Sequence, residues 1–281
     1  MKIPGNEIAE RLQTHLKQKV DILKSKGITP SLTTILIGDS TDQESYVSKK
    51  RSVAEKIGAG FTFLQLPQTT SPSDLKKILH NLNEDSNVSG IIVQQPLPTP
   101  FAETNIYDFI SPKKEIEGHI PDSPFTPPIA LAVIRILHFI IDQSITQLDI
   151  DVIKKFLADK NIVIVGRGIT GGAPIMRAFN SWNIPYTNIH SKTENPGRIL
   201  KNADLVITAV GKYVIQPKDL KNGVILMNAG LRKEDGKLRG DYYGKEVKEI
   251  ASFYTPTPGG LGPIDVTYLF HNLIKAAESS K

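Results

Sequence analysis

Tyr46 and Lys50 are the residues whose types and spacing first suggest chemistry. They lie four residues apart in the stretch ESYVSKKRSVAEK (44–56), so on a helix they share one face, one turn from each other. There the ring can stack on a flat heterocycle while the amine holds, gives or takes a proton beside it. The alternative is an exposed helix that carries Tyr and Lys without a site, and the surrounding elements decide between the two.

The elements of the first 110 residues favour a site. The patterns predict helices over 6–26, about 41–57 and 73–82, the last with Ser73 as its N-cap, and strands over 32–37, 61–66 and 88–93. Such alternation is typical of a parallel α/β layer, in which ligands bind beyond the carboxyl ends of the strands. The helix of Tyr46 and Lys50 follows one strand end and Gln94 follows another, so we predict that these three residues form a site.

A glycine-rich turn dominates the second half of the chain. Gly166-Arg167-Gly168-Ile169-Thr170-Gly171 is a G-x-G-x-x-G between a predicted strand (161–165) and a predicted helix (173–182). In this context the first glycine allows a tight turn, the second lets the backbone approach a pyrophosphate, and the helix N-terminus supplies N–H donors. The alternative is a Rossmann-like domain that binds no nucleotide.

The next predicted strand (186–189) indicates which dinucleotide is bound. An NAD site usually has an acidic residue about 20 positions after the glycines. Here the strand ends in His190-Ser191-Lys192-Thr193, which has no carboxylate. Ser191, Lys192 and Arg167 would attract a 2′-phosphate, so the residues favour NADP over NAD.

The remaining segments complete an α/β pattern. We predict helices over 128–141, 149–157 and 264–277, strands over 205–210 and 224–227, and a tight turn at Asp235-Gly236. Residues 111–128 read as a linker or an active-site loop. Residues 255–263 are too rich in Pro and Gly for a regular element, and their bare backbone can lie against a ligand; a plain linker between domains is the alternative.

The composition limits the protein class. The 281 residues are enough for one large or two ordinary domains, and no Cys is present. The six His residues show no metal-ligand spacing, and the longest apolar run (129–141) is too short to cross a bilayer. The net charge of +5 goes with Lys residues spread along the chain, which suggests an anionic small ligand rather than nucleic acid; a mixed solvated surface is the alternative. We expect a cytoplasmic protein without a metal or a membrane anchor.

Several motifs, taken together, resemble one family. They are SYVSKKRSVAEKIG (45–58), GIIVQQPLP (90–98), IVGRGITGGAPI (164–175), HSKT (190–193), ADLVITAVGK (203–212), DGKLRGD (235–241) and TPTPGGLGP (255–263). In this order they resemble the bifunctional methylenetetrahydrofolate dehydrogenase/methenyltetrahydrofolate cyclohydrolase over nearly the whole chain.

The resemblance implies an activity and a fold. The expected reactions are oxidation of 5,10-methylenetetrahydrofolate to the 5,10-methenyl form with NADP, and hydrolysis of that product to 10-formyltetrahydrofolate. The expected fold has an α/β catalytic domain (1–125 plus 264–281) and a Rossmann-type NADP-binding domain (126–263), with a cleft between them. A homodimer is also implied.

The resemblance also implies roles for individual residues. Tyr46 stacks on the folate, Lys50 is the catalytic amine near the one-carbon bridge, and Gln94 holds Lys50. Arg167 and Ser191 bind the 2′-phosphate of NADP. The substrate-binding residues are Tyr46, Glu117, Pro258, Gly259, Gly260 and Asp265, in part on a loop from Pro258 to Gly262. The cofactor-binding residues are Gly166, Arg167, Gly168, Gly171, Ser191, Val210 and Gly211.

The sequence departs from the family pattern at four places. Glu115-Ile116-Glu117-Gly118-His119-Ile120-Pro121 stands for Asp-Val-Asp-Gly-Phe-His-Pro, and the second Asp contacts the pterin, so Glu117 adds a methylene at that contact. Gly168 replaces a Ser, and Asp265 brings a carboxylate where the family has Thr. Asn228 replaces an Asp before a glycine.

These departures leave alternatives open. One is a related dehydrogenase whose cyclohydrolase step is lost or weakened, and another is a non-catalytic folate or nucleotide binder. A short-chain dehydrogenase also uses Tyr-x-x-x-Lys, but there the glycine turn precedes the pair, whereas here Lys50 precedes Gly166.

Overall fold

The computed structural model of the protein describes residues 1–101, 104–144 and 147–279, with the side chains of residues 41, 42 and 100 left aside. By internal contacts the chain separates into two compact units. The unit of Glu10–Pro128 and Val266–Lys281 contains Lys50 and is called the lysine unit below. The unit of Met1–Ala9 and Ile129–Asp265 contains the glycine-rich turn and is called the glycine-turn unit.

These units divide the chain near the predicted domain boundaries but not at them. The predicted boundaries were 125/126 and 263/264, whereas the contacts divide the chain at 128/129 and 265/266 and group residues 1–9 with the glycine-turn unit. The predicted domains, as separately folding bodies with their own ligands, stay a prediction.

The helices and strands follow the chain in this order. The helices are α1 (Gly5–Ser25), α2 (Thr41–Ile57), α3 (Pro72–Glu84), α4 (Pro128–Ile141), α5 (Ile150–Leu157), α6 (Gly172–Ser181), α7 (Pro196–Leu200), α8 (Gly244–Val247) and α9 (Leu261–Glu278). The strands are β1 (Ser31–Ile37), β2 (Gly60–Leu66), β3 (Gly90–Val93), β4 (Ile162–Val165), β5 (Thr187–Ile189), β6 (Leu205–Thr208), β7 (Ile225–Asn228), β8 (Arg232–Glu234), β9 (Lys237–Arg239) and β10 (Phe253–Tyr254). Short 3-10 helices span Thr99–Phe101, Ile106–Phe109 and Pro217–Asp219.

The sheet of the lysine unit is parallel and has the order β2-β1-β3. β1 and β3 consist almost entirely of buried residues, as expected for strands that are covered on both faces. Because β2 and β3 lie on opposite sides of β1, the connections leave β1 in both directions. A crevice therefore opens beyond the carboxyl ends of β1 and β3, which is where such sheets bind ligands.

The sheet of the glycine-turn unit repeats this arrangement with more strands. Its order is β10-β7-β6-β4-β5, and all neighbouring strands are parallel. β5 and β6 lie on opposite sides of β4, so the change of direction falls between β4 and β6. β8 and β9 form a separate antiparallel hairpin, and the predicted tight turn at Asp235-Gly236 connects them.

Local capping explains where some helices differ from the prediction. The N-cap of α3 is Ser71, whose hydroxyl accepts from the N–H of Asp74, so the prediction of Ser73 was wrong by two residues. Pro72 then occupies the first turn, where its missing N–H costs nothing. α9 begins at Leu261 rather than at 264, inside the stretch predicted to have no regular structure.

The core of the lysine unit positions its sheet edge. Phe270, Leu273 and Ile274 of α9 are buried in one cluster with Leu32 and Ile92 of the sheet. Each such side chain contributes about 1.5–3 kcal/mol relative to an exposed one. In the glycine-turn unit, a second cluster joins buried residues of the sheet to the helices that cover it. Over the described residues, no helix is long and apolar enough to cross a membrane.

Candidate active site

Lys50 and Gln94 are in direct contact. The Lys50 Nζ donates to the Gln94 Oε1 at 2.8 Å, and Lys50 is only 8% exposed. The Gln94 Nε2 donates to the carbonyl of Gln95 at 3.1 Å, which orients the amide so that its oxygen faces the lysine. A buried amine that is held by a fixed acceptor has a defined position for proton transfer.

The first residues of α2 and the turn after β3 bring this pair together. Ser40 caps α2 by accepting from the N–H of Gln43, just beyond the carboxyl end of β1. The Gln43 Nε2 then donates to the carbonyl of Pro96 at 2.7 Å, which ties the helix to the turn. The N–H of Gln94 donates to the carbonyl of Ile35, so Gln94 continues the pairing of β3 with β1. The pair therefore lies at the crevice of the lysine-unit sheet.

Tyr46 lies one helical turn before Lys50 on α2. It is half-buried, and the Lys49 Nζ lies 5.3 Å from the centre of its ring. The half-buried Tyr46 ring therefore offers a flat apolar face on the same helix as the Lys50 amine, which is the candidate proton-transfer group.

Glu117 approaches the same site on the loop before α4. One carboxylate, that of Glu115, shapes this loop by accepting from the N–H of Glu117 at 3.0 Å and from the N–H of His119 at 2.9 Å. Gly118 has φ 71°, and a Cβ there would come within 2.7 Å of the carbonyl oxygen of Phe125, so this position requires glycine. The Asn272 side chain of α9 donates to the carbonyl of Ile116 and fixes the loop from the other side.

The charges around Glu117 act on each other. Burial raises the pKa of Glu117, and the positive charge of Lys50 acts in the opposite direction. Burial and the charge of Glu117 raise the pKa of Glu115, while His119 and the two backbone N–H groups lower it. Lys50 and Glu117 therefore form an amine and a carboxylate within electrostatic reach at one crevice.

The glycine turn of the other unit is held by close backbone contacts. Gly166 has φ 104°, and a Cβ there would come within 2.5 Å of the carbonyl oxygen of Ala209. A Cβ at Gly172 would come within 2.3 Å of the Gly166 oxygen, whereas a Cβ at Gly171 would meet the Ala209 Cβ at 3.0 Å. The glycine that allows the start of α6 to pack on the turn is thus Gly172 more than Gly171. A Cβ at Gly168 would have no atom of the described residues within 4 Å, apart from those of its chain neighbours.

Arg167 and Ser191 follow neighbouring strand ends. Val165 of β4 is paired with Ile189 of β5, so both residues lie two positions beyond that pair. Both side chains are exposed at this edge. The Asn188 side chain donates to the carbonyl of Gly166 at 3.0 Å and thereby connects β5 with the glycine turn.

Val210 and Gly211 lie beyond the carboxyl end of β6, next to β4. Asp241, which is fully buried, accepts from the N–H groups of Val210, Gly211 and Lys212 at 2.8–3.2 Å. Burial raises the pKa of Asp241, although these three bonds lower it. The carboxylate defines the shape of the turn that carries Val210.

Asn228 connects this turn to the Pro-Gly loop. Its Oδ1 accepts from the hydroxyl of Thr208 and the N–H of Asp241, and its Nδ2 donates to the hydroxyl of Thr257 at 2.9 Å. Thr257 precedes the predicted substrate-binding residues Pro258, Gly259 and Gly260. The Asn228 side-chain amide thus both accepts and donates hydrogen bonds at the position where the family pattern has Asp.

The predicted residues fall into two sets. The lysine unit holds Tyr46, Lys50, Gln94 and Glu117, and the glycine-turn unit holds Gly166, Arg167, Gly168, Gly171, Ser191, Val210, Gly211, Pro258, Gly259, Gly260 and Asp265. Asp265 is half-buried near the start of α9. Among the described residues, no group of three or more His, Asp or Glu side chains is arranged to hold a metal ion.

Some supporting residues were not predicted from sequence. Glu115, His119, Gly172 and Asp241 each hold or contact a predicted site residue. The repeated glycine in ITGGAP was a visible signal for Gly172. For Asp241 the only signal was its place in the matching stretch DGKLRGD.

Family models match both halves of the chain. The catalytic domain of tetrahydrofolate dehydrogenase/cyclohydrolase matches residues 3–117, and the NAD(P)-binding domain of the same family matches residues 143–281. Curated relatives that match nearly the whole chain carry the name bifunctional protein FolD. The one from Staphylococcus saprophyticus is 35% identical over 98% of this chain and 95% of its own length, and the one from Macrococcus caseolyticus is 34% identical over 99% and 98%.

Solved structures agree with the family models. The bifunctional FolD methylenetetrahydrofolate dehydrogenase/cyclohydrolase from Campylobacter jejuni has a TM-score of 0.89, with 29% identity over 99% of this chain and 98% of its own. The Trypanosoma brucei FolD, solved with NADP and an inhibitor, has a TM-score of 0.87, with 25% identity over 100% and 98%. The predicted two-domain α/β fold and the resemblance are both confirmed. The chain belongs to the tetrahydrofolate dehydrogenase/cyclohydrolase family.

Proposed function

We propose that this chain oxidises 5,10-methylenetetrahydrofolate to 5,10-methenyltetrahydrofolate with NADP and hydrolyses that product to 10-formyltetrahydrofolate. The family and the bifunctional relatives confirm both predicted activities, the enzyme class and the cofactor. No finding favours the alternative of a dehydrogenase without cyclohydrolase activity. The observation that carries the proposal is the buried Lys50, hydrogen-bonded to Gln94 at the crevice of its sheet.

The residues of the glycine turn fit NADP. The turn has bare backbone at Gly166 and Gly168, and it leads into the N-terminus of α6, which favours a pyrophosphate. The exposed Arg167 and Ser191 at neighbouring strand ends would hold the 2′-phosphate. We assign Gly171, Val210 and Gly211 to the same cofactor site. Bound NADP supplies the acceptor for the hydride of the one-carbon bridge.

In the oxidation step, the chain binds and orients the folate. Tyr46 offers its ring for stacking on the pterin, and the Glu117 carboxylate accepts hydrogen bonds from N–H donors of the pterin. The longer Glu side chain is compatible with this role because Glu115 and Asn272 fix the loop that carries it. Such orientation is the main contribution of a protein to hydride transfer.

In the hydrolysis step, Lys50 transfers protons. Water adds to the methenyl carbon, one C–N bond breaks, and one proton is released for each water consumed. Next to the methenyl cation the Lys50 amine acts in its neutral form: it takes a proton from the attacking water and gives it to the departing ring nitrogen, while the added hydroxyl loses the proton that is released. Gln94 keeps the amine in place. Pro258, Gly259, Gly260 and Asp265 are proposed as further folate contacts.

The proposal also covers where the protein acts, what it associates with and which domain binds which ligand. We propose that the protein acts in the cytoplasm as a homodimer, that it takes tetrahydrofolate derivatives as substrates, and that it uses neither nucleic acid nor a membrane. We also propose that the folate binds the catalytic domain of residues 1–125 and 264–281, and that NADP binds the domain of residues 126–263.

One absorbance assay tests the proposal. Methylenetetrahydrofolate is supplied with NADP, and reduced cofactor and methenyl absorbance are followed in the wild type and in Lys50→Gln. Both activities are expected in the wild type, and the variant should no longer hydrolyse the methenyl compound faster than buffer does. Unchanged hydrolysis in Lys50→Gln would remove Lys50 from the mechanism. A wild type that forms no reduced cofactor would refute the proposed oxidation.

A further inference from the structure

His119 is fixed within the loop that carries Glu117. Its side chain is only 10% exposed. Its ring stacks on that of Tyr107, with 4.3 Å between the ring centres, and its backbone N–H donates to Glu115. The family pattern has Phe at this position, so the stacking alone does not require an imidazole.

The imidazole faces the carboxylate of Glu117. The His119 Nε2 lies 3.7 Å from the Glu117 Oε2. The charge of Lys50 also acts on Glu117, and the buried Glu115 accepts from the backbone N–H groups of Glu117 and His119. The loop thus brings an imidazole to two acids and within electrostatic reach of one amine. The family pattern has its His one position later, where this chain has Ile120, so the imidazole at position 119 is particular to this chain.

Tyr107 connects this cluster back to the turn after β3. Its hydroxyl accepts from the Gln95 Nε2 at 3.4 Å, and Gln95 follows the residue that holds Lys50. The stacked ring of His119 therefore lies on a support that is continuous with the Lys50 site. Because the His119 Nε2 lies 3.7 Å from the Glu117 Oε2, a shift of the imidazole would change the position of the Glu117 carboxylate.

We propose that His119 is a positioning residue that holds the Glu117 carboxylate in place and keeps it ionised for folate binding. This inference rests on the proposed function, because ionised Glu117 can accept from pterin N–H donors with both oxygens, whereas the protonated acid turns one of them into a donor. Burial favours the neutral acid and the charge of Lys50 favours the carboxylate; His119, once its ring is protonated, adds a second positive charge 3.7 Å from Glu117. Without the imidazole, Glu117 takes up its proton at a higher pH, with Glu115, Lys50 and Tyr107 still around it.

The pH profile of the oxidation step tests this role. The value of kcat/KM for methylenetetrahydrofolate, at saturating NADP, is measured as the pH falls below neutrality in full-length wild type, His119→Phe and His119→Gln. Phe keeps a ring on Tyr107 and Gln keeps polar atoms, but neither carries a charge. In both variants the acidic limb should move to higher pH by about one unit, and the loss should be in KM.

Matched variants separate this role from a structural one. His80→Gln removes an exposed imidazole of the same unit, on α3, and should leave the acidic limb where the wild type has it. In a Glu117→Gln background, His119→Phe should cause no further shift. Acidic limbs that coincide in wild type and both His119 variants would overturn the inference while leaving the proposed function intact. A wild type without oxidation activity would overturn both.

Discussion

Gly172→Ala should separate the two activities of this enzyme. A Cβ at Gly172 would come within 2.3 Å of the Gly166 oxygen and 2.7 Å of the Gly166 carbonyl carbon. Ordinary contact begins at 3.4 Å, so the start of α6 and the glycine turn must move apart by about 1.1 Å. The neighbouring atoms are backbone, which cannot rotate away as a side chain does.

The size of the effect follows from the hydrogen bonds that this movement breaks. Each backbone N–H that donates to a charged phosphate oxygen contributes about 1.5–3 kcal/mol. Loss of one such bond corresponds to an increase of about 10- to 100-fold in the KM for NADP. Overpacking should also lower the free energy of unfolding by about 1–3 kcal/mol.

Two assays on the same preparation test this expectation. The dehydrogenase is measured over a range of NADP concentrations, and methenyl hydrolysis is measured without cofactor. Hydrolysis should be retained because Lys50 and Gln94 lie in the other unit. Asn180→Ala is the control, since Asn180 is exposed at the far end of α6 and outside the proposed cofactor site, and its KM for NADP should stay near the wild-type value. An unaltered KM for NADP in a folded Gly172→Ala protein would refute the proposed role of this packing.

Three further predictions concern the other residues of the two sites. Gln94→Ala removes a hydrogen bond to the buried Lys50 amine worth about 1.5–3 kcal/mol, so methenyl hydrolysis should fall by about 10- to 100-fold; a rate within twofold of wild type would contradict this. Arg167→Ala should lower the preference for NADP over NAD by at least about tenfold, read from the ratio of kcat/KM values, because one charged hydrogen bond to the 2′-phosphate is lost; an unchanged ratio would place the 2′-phosphate elsewhere. The pKa of Glu115 is raised by burial and by Glu117 above its ordinary 4.5, so the folded protein holds more protons than the unfolded chain just above that pH. The unfolding free energy should therefore decrease as the pH rises through this window. Urea titrations should show this decrease in wild type and a weaker one in Glu115→Gln, and equal slopes would contradict the assignment.

The sequence predicted β1, β3 and β4 well because these strands consist almost entirely of buried residues. Runs such as LTTILI and NIVIV are recognised by hydrophobicity alone, and the ends of β3, β4 and β5 place Gln94, Arg167 and Ser191 at the sheet edges. The same rule placed Lys50 and Gln94 at one site, since the carboxyl ends of adjacent parallel strands share one edge, whereas their direct hydrogen bond was implied only by the family resemblance.

The features that the sequence did not reveal depend on contacts between distant segments. β10 has only two residues and is paired with β7 alone among the named strands, so it carries no alternating pattern of its own. Asp241 lies about 30 residues from the N–H groups that it accepts, and no local motif predicts that distance. The roles of Glu115 and His119 likewise depend on how the loop folds back on itself rather than on residue type.

The two sheets begin with the same strand order, the first strand flanked by the second and the third, and this bears on how the enzyme can be altered. In each sheet the residues proposed for chemistry lie beyond the strand ends, while the residues that fill the interior lie within the strands. A combinatorial library limited to residues 168–170 would therefore sample new cofactor specificities with little loss of folded protein. Gly168 itself differs from the family pattern, whereas the strand before it, β4, is apolar and buried throughout.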